Sequence, residues 1–160
     1  MKTIFKSAFL LAISVLAQQG HAAGITVSLC GGSATGVAFG SYNPLNSADT
    51  DSNGSITFGC VAAGVGTFTY TISISATNGT VSGRQLKSGS NLISYNLFQD
   101  MNRTQIWGDG TSGTSVFSAT VPVAVVGIFS NTYTVFGRIP ALQNKPAGSY
   151  TDTVTVTFTF

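Results

Sequence analysis

The sequence predicts an exported, all-β protein built as a β-sandwich, and three observations carry that prediction. Apolar residues recur with a period of two rather than 3.6. Asn-Gly, Gly-Asp-Gly and Pro-Ala-Gly steps, whose Gly and Asn tolerate positive φ, punctuate the runs. The chain also opens with the layout of a secretory leader. Its 160 residues suffice for one domain with a real core.

Lys2 and Lys6 precede an apolar run over residues 8–17, AFLLAISVLA. Gly20-His21-Ala22 then puts small residues where a cut before Ala23 needs them. The run is too short to span a bilayer, which takes ~20 apolar residues. Residues 1–22 are therefore expected to be a signal peptide and residues 23–160 the domain.

Each strand follows from its alternation. Ile25, Val27 and Leu29 alternate with Thr26 and Ser28. They read either as a short donor strand for a neighbouring molecule or as the domain's own first strand. Residues 37–42 are a short strand candidate. Residues 55–61 place Ile56, Phe58 and Cys60 on one face, and residues 67–75 do the same for Phe68, Tyr70, Ile72 and Ile74. Residues 93–99 follow the rule less cleanly. Residues 116–126 form a longer apolar stretch in which Pro122 argues for an edge or a bend. Residues 132–139 are another strand. Turns are expected at Asn53-Gly54, Asn78-Gly79, residues 108–110 and residues 146–148. The total, seven to nine short strands, suits a sandwich.

The last run, TDTVTVTFTF, alternates Val154, Val156, Phe158 and Phe160 with Thr and carries no charge after Asp152. An apolar, uncharged strand at a sheet edge is ordinarily capped or covered. Something should pair with it.

Composition excludes much chemistry. Beyond the leader, Arg84, Lys87, Arg103, Arg138 and Lys145 balance Asp49, Asp51, Asp100, Asp109 and Asp152, so the net charge is zero. Nothing here attracts nucleic acid or anionic lipid. The sole histidine, His21, lies in the leader, which removes His-based triads and the usual zinc ligands. Two cysteines, Cys30 and Cys60, are expected to form a disulfide in an exported chain. Asp100 and Asp109 flank an expected hairpin with Trp107 and are the one carboxylate pair a glycosidase could use; turn residues are the plainer reading. Residues 49–54, DTDSNG, match half of an EF-hand loop, but Cys60 stands where the bidentate Glu belongs, so a polar turn is expected. Arg84 and Arg138 are expected at surface or edge positions, with Asp152 as a partner for one. The aromatic residues around Trp107 are expected in core and hairpin packing rather than in a sugar-binding patch. No catalysis, metal or small-molecule cofactor is expected.

In order, Cys30, the Phe39-Gly40-Ser41-Tyr42 run, residues 54–60 (GSITFGC), Arg84, residues 95–100 (YNLFQD), Arg103, residues 107–110 (WGDG), residues 137–140 (GRIP) and residues 148–152 (GSYTD) resemble the spore coat protein U family, which includes subunits of archaic chaperone–usher pili. The resemblance covers nearly the whole expected domain. It implies an immunoglobulin-like sandwich lacking one strand and completed by donor-strand complementation. It implies as partners a periplasmic chaperone, an outer-membrane usher and other pilus subunits, with Phe160 and its neighbours against the chaperone. The expected function is a structural or adhesive pilus subunit at the cell surface, serving adhesion and biofilm formation. The alternatives are a secreted coat or matrix protein of the same fold, or a lectin using loops around Trp107 and residues 121–129.

Overall fold

The computed structural model describes residues 9–15 and 24–160, and every regular element among them is a strand. The strands are β1 (Phe9–Val15), β2 (Ile25–Thr35), β3 (Thr50–Ile74), β4 (Gly79–Thr80), β5 (Gly83–Ser88), β6 (Asn91–Phe98), β7 (Phe117–Ile139) and β8 (Asp152–Thr159). The rest of the expected leader, with His21 and the cleavage point at Ala22–Ala23, lies outside the described residues.

One hydrogen-bonded path joins the strands in the order β1-β8-β3-β7-β6-β5-β4, with β2 also on β3. Its spine is an antiparallel ladder between β3 and β7 that runs from Thr50↔Ile139 to Ile72↔Phe117. The sequence suggests four short strands here; the structure has two long ones. The ladder nevertheless folds over. Phe58 and Tyr70 lie twelve residues apart on β3, about 40 Å in a straight strand, yet their ring centroids are 4.9 Å apart. The bend falls where Gly64 and Gly66 have φ of 127° and 150° and Val125, opposite Gly64, has φ of 77°. The two halves of the ladder therefore face each other, and that is the sandwich. At the bend Val65, Val125, Val126 and Ile128 remain exposed.

The core lies between the halves. Ile56, Phe58, Tyr70, Ile72 and Ile74 of β3 are buried with Leu97, Trp107, Val154, Val156 and Phe158. The far side closes where Lys87 and Thr151 exchange backbone hydrogen bonds of 2.8 and 3.0 Å, bringing β5 to the start of β8. Pro122 sits on β7 where only β3 pairs with it, so its missing N–H is tolerated.

Two local expectations are corrected. Residues 37–42 are not a strand; Val37, Phe39 and Tyr42 are buried from an irregular segment, with the Tyr42 hydroxyl donating to the Pro140 carbonyl at 3.0 Å. Asn53-Gly54 is not a turn but part of β3, opposite Phe136 and Val135. Gly54 is there for room: a Cβ on it would lie 2.5 Å from the Thr35 carbonyl oxygen.

Candidate strand-acceptor edge along the last strand

β8 owes its form to its alternation. Val154, Val156 and Phe158 are buried while Thr153, Thr155 and Thr157 are half-buried. One edge of β8 pairs with β3, residues 156–159 against residues 71–74. The other edge takes β1 in parallel register, from Phe9↔Asp152 to Val15↔Phe158. Leu11 and Ile13 thereby stand opposite Val154 and Val156. β1 also lies beside β2, so it occupies the gap between β8 and β2. Every N–H and C=O along such an edge needs a partner when buried, and here a seven-residue segment from outside the expected domain supplies it.

The floor under this edge is aromatic. Phe158 stacks on Phe58 with centroids 4.3 Å apart and 12° between planes. Phe160 reaches Phe58 at 6.2 Å and Phe68 at 5.8 Å. β2 comes close above Phe158 because residue 32 is glycine: a Cβ there would meet the Phe158 ring at 2.9 Å and the Thr57 carbonyl at 3.0 Å.

On the opposite wall, Ile25, Thr26, Val27 and Ser28 pair antiparallel with β3 of their own domain, opposite Gly64, Ala63, Ala62 and Val61. Simple alternation, which would put Ile25, Val27 and Leu29 on one face, then fails. Ser28 faces Val61 and Gly31 faces Gly59, so Leu29 and Cys30 together oppose Cys60 in a β-bulge. Cys30 bonds to Cys60. Leu29, with φ of 50°, is turned out and 85% exposed, whereas Ile25 is buried and Val27 packs against the core.

The start of β8 is held by a buried polar group of residues. Asp152 accepts from the Tyr95 hydroxyl at 2.7 Å and from Asn78 Nδ2 at 2.7 Å. Burial, with the Asp152 carboxylate adding to it, pushes the Tyr95 phenol well above its ordinary range. Arg84, expected at the surface, is fully buried. Its Nε donates to the Ser75 carbonyl, its Nη1 to Val81 O and Asn96 Oδ1, and its Nη2 to Ile74 O and Trp107 O, all at 2.7–3.0 Å. Burial draws its pKa down.

The other residues singled out in the sequence serve local structure. Arg138 pairs with Asp51 through two 2.8 Å hydrogen bonds and with Asp49 at 3.3 Å, not with Asp152. Arg103 joins Asp51 at 3.3 Å. The half EF-hand is thus a salt-bridged strand end, and no group of three metal-ligating residues exists among the described residues. Asp100 accepts from Thr104 and Gln105, and Asp109 from Thr111; these bonds hold both carboxyls below the usual range, the reverse of what a glycosidase acid needs. Trp107 is buried and its Nε1 donates to Ile72 O at 2.8 Å, so its ring is core. Sequence reasoning missed the roles of Gly32 and Arg84. A glycine inside a strand pattern is the signal that could have found the first; a lone arginine carries no such signal.

The Spore Coat Protein U domain model matches residues 16–157. The chain belongs to that family. The chain is also similar to Protein U of Myxococcus xanthus, 31% identical over 134 residues, a match that covers 76% of this chain and 70% of that one. Among solved structures, the chain is similar to one described as the CsuC-CsuE chaperone-tip adhesion subunit pre-assembly complex from archaic chaperone-usher Csu pili of Acinetobacter baumannii. That match has 21% identity and a TM-score of 0.43; it covers 82% of this Spore Coat Protein U domain chain and 40% of the matched one.

Proposed function

We propose that the chain is a structural or adhesive subunit of a chaperone–usher surface fibre, exported through the periplasm and assembled by donor-strand exchange. The single observation that carries this reading is the edge of β8, which takes a seven-residue parallel strand from outside residues 23–160. With residues 1–22 removed as a signal peptide, that edge would be open above Val154, Val156 and Phe158. A periplasmic chaperone fills it first; at the outer-membrane usher a strand from another subunit replaces the chaperone, a β-augmentation whose affinity comes from main-chain hydrogen bonds and whose selectivity comes from alternate side chains. Phe160 lies at the end of that edge and belongs to the chaperone contact. Adhesion to surfaces and biofilm formation are the roles such a fibre serves.

A second reading is favoured by one observation. Residues 25–28 pair inside their own sheet, which supports reading them as the domain's first strand rather than as a donor. This suits a secreted coat or matrix protein of the same fold, or a subunit that accepts without donating. Periplasmic co-expression with a candidate chaperone separates the readings. Recovery of a one-to-one complex, released as a stable domain by a donor peptide, is the expected result. A stable monomer of the processed chain with no affinity for chaperone or peptide would overturn the fibre assignment.

A further inference from the structure

We infer that the leader is the chain's own placeholder: while attached, Phe9–Val15 caps the β8 edge, and its removal opens that edge to other strands. The inference rests on the acceptor-edge reading above and adds a regulated state to it.

Three features support the capped precursor. The pairing is continuous, seven register positions from Phe9↔Asp152 to Val15↔Phe158, without the shift that interrupts β2. Its composition fits the edge. FLLAISV contains no charge, proline or glycine, and its positions 11, 13 and 15 stand opposite the three buried residues Val154, Val156 and Phe158. Positions 10, 12 and 14 stand opposite the half-buried Thr153, Thr155 and Thr157. The tether is also short. Nine residues, 16–24, join the end of β1 to the start of β2, so capture is intramolecular, and a short linker gives an effective concentration on the order of millimolar. A competing strand in trans meets an occupied edge until the leader is cut away.

The test uses the full chain, folded with its disulfide formed and with the 22–23 bond left uncut. The variants are Ile13→Asp, at a position opposite Val156, and Ala12→Asp, opposite Thr155. Two readouts are taken: hydrogen exchange of the amides of residues 154, 156 and 158, which alternate with the Thr155 amide bonded to Ser75 and so lie on the β1 side, and capture of a labelled peptide carrying the FLLAISV sequence. The wild-type chain should protect those amides by about a hundredfold relative to Ile13→Asp, since strand edges exchange according to their local opening. It should also exclude the peptide that Ile13→Asp captures, with Ala12→Asp behaving like wild type. Equal protection and equal capture by wild type and Ile13→Asp would overturn the placeholder while leaving the acceptor edge standing. Failure of every chain to capture peptide, with β8 amides exchanging alike, would overturn both. Should Ile13→Asp not fold, a protease site placed between residues 22 and 23 and cut after folding supplies the same comparison; unchanged exchange and capture after the cut and removal of the peptide would count against the placeholder.

Discussion

Replacing Arg84 by methionine tests how the frame behind β8 is held. The guanidinium is fully buried and donates five hydrogen bonds, four to backbone carbonyls of residues 74, 75, 81 and 107 and one to Asn96. Methionine fills similar volume but leaves those acceptors without this donor, at about 1–3 kcal/mol for each that finds no other partner. Against that, the several kcal/mol spent desolvating the cation are recovered. The net loss expected is about 3–5 kcal/mol, the range for breaking a buried charged network. With total stabilities of about 5–15 kcal/mol, this is a large fraction. The assay is urea unfolding of the oxidised chain followed by the fluorescence of Trp107, the one tryptophan, whose carbonyl is among the acceptors. At a urea slope of about 2 kcal/mol per molar, the midpoint should fall by about 1.5–2.5 M. Arg84→Lys should recover less than half of this, because an ammonium has three donors and no planar fork. A midpoint for Arg84→Met within ~0.5 M of wild type would refute the reasoning, since the carbonyls would then be satisfied without the arginine.

Other outcomes follow from the same geometry. Gly32→Ala should cost about 1–3 kcal/mol by overpacking against Phe158 and Thr57. Pairing it with Phe158→Leu should relieve part of that cost in a double-mutant cycle, and strict additivity would show that the two do not touch. Replacing Cys30 and Cys60 together by serine should lower stability by ~3.6 kcal/mol on the loop-entropy model for a separation of 30 residues, read as a drop in urea midpoint. The Asp51 carboxyl is held below its ordinary value, first by its hydrogen bond from Arg138. A depressed folded pKa contributes stability above the unfolded value of about 4 and loses it as pH falls through the folded value. The stability difference between wild type and Asp51→Asn should therefore shrink between about pH 5 and pH 2, by under ~1 kcal/mol because the pair is one-third exposed. A difference independent of pH would remove the ion pair from the account.

The fold class was legible because alternation with a period of two is a direct imprint of a half-buried strand. The alternation of buried residues at 68, 70, 72 and 74 and at 154, 156 and 158 was legible for this reason, although the runs were bounded at 67–75 and 151–160 and the strands end at Ile74 and Thr159. Strand length was not legible. Gly64 and Gly66 look like breaks, and they do mark the bend, but the ladder continues through them. Asn53-Gly54 carries turn chemistry that tertiary packing overrides, since Gly54 is needed beside the Thr35 carbonyl. Leu29 fits the pattern of a buried residue until the disulfide is considered: setting Cys30 against Cys60 requires the extra residue, and Leu29 is the one displaced. Arg84 was misplaced because burial of an arginine depends on acceptors brought together from separate segments, here the carbonyls of residues 74–75, 81 and 107 and the side chain of Asn96, which no local pattern reveals. That the uncharged β8 needs a partner along its edge was visible; that residues 9–15 pair with it was not, because a short apolar run reads the same whether it forms a helix, a strand or neither.

The parallel alignment along β8 also has a mechanical consequence. A pull directed along β8 and the strand beside it loads all of the hydrogen bonds between them in shear, so they must fail together. A pull across the pair opens them one after another, as a zipper, at far lower force. The Cys30–Cys60 bond stitches β2 to β3 on the wall facing that pair, so under axial load that wall cannot peel away while the disulfide is intact. A chain built this way resists tension along its strands and yields to leverage at its edge.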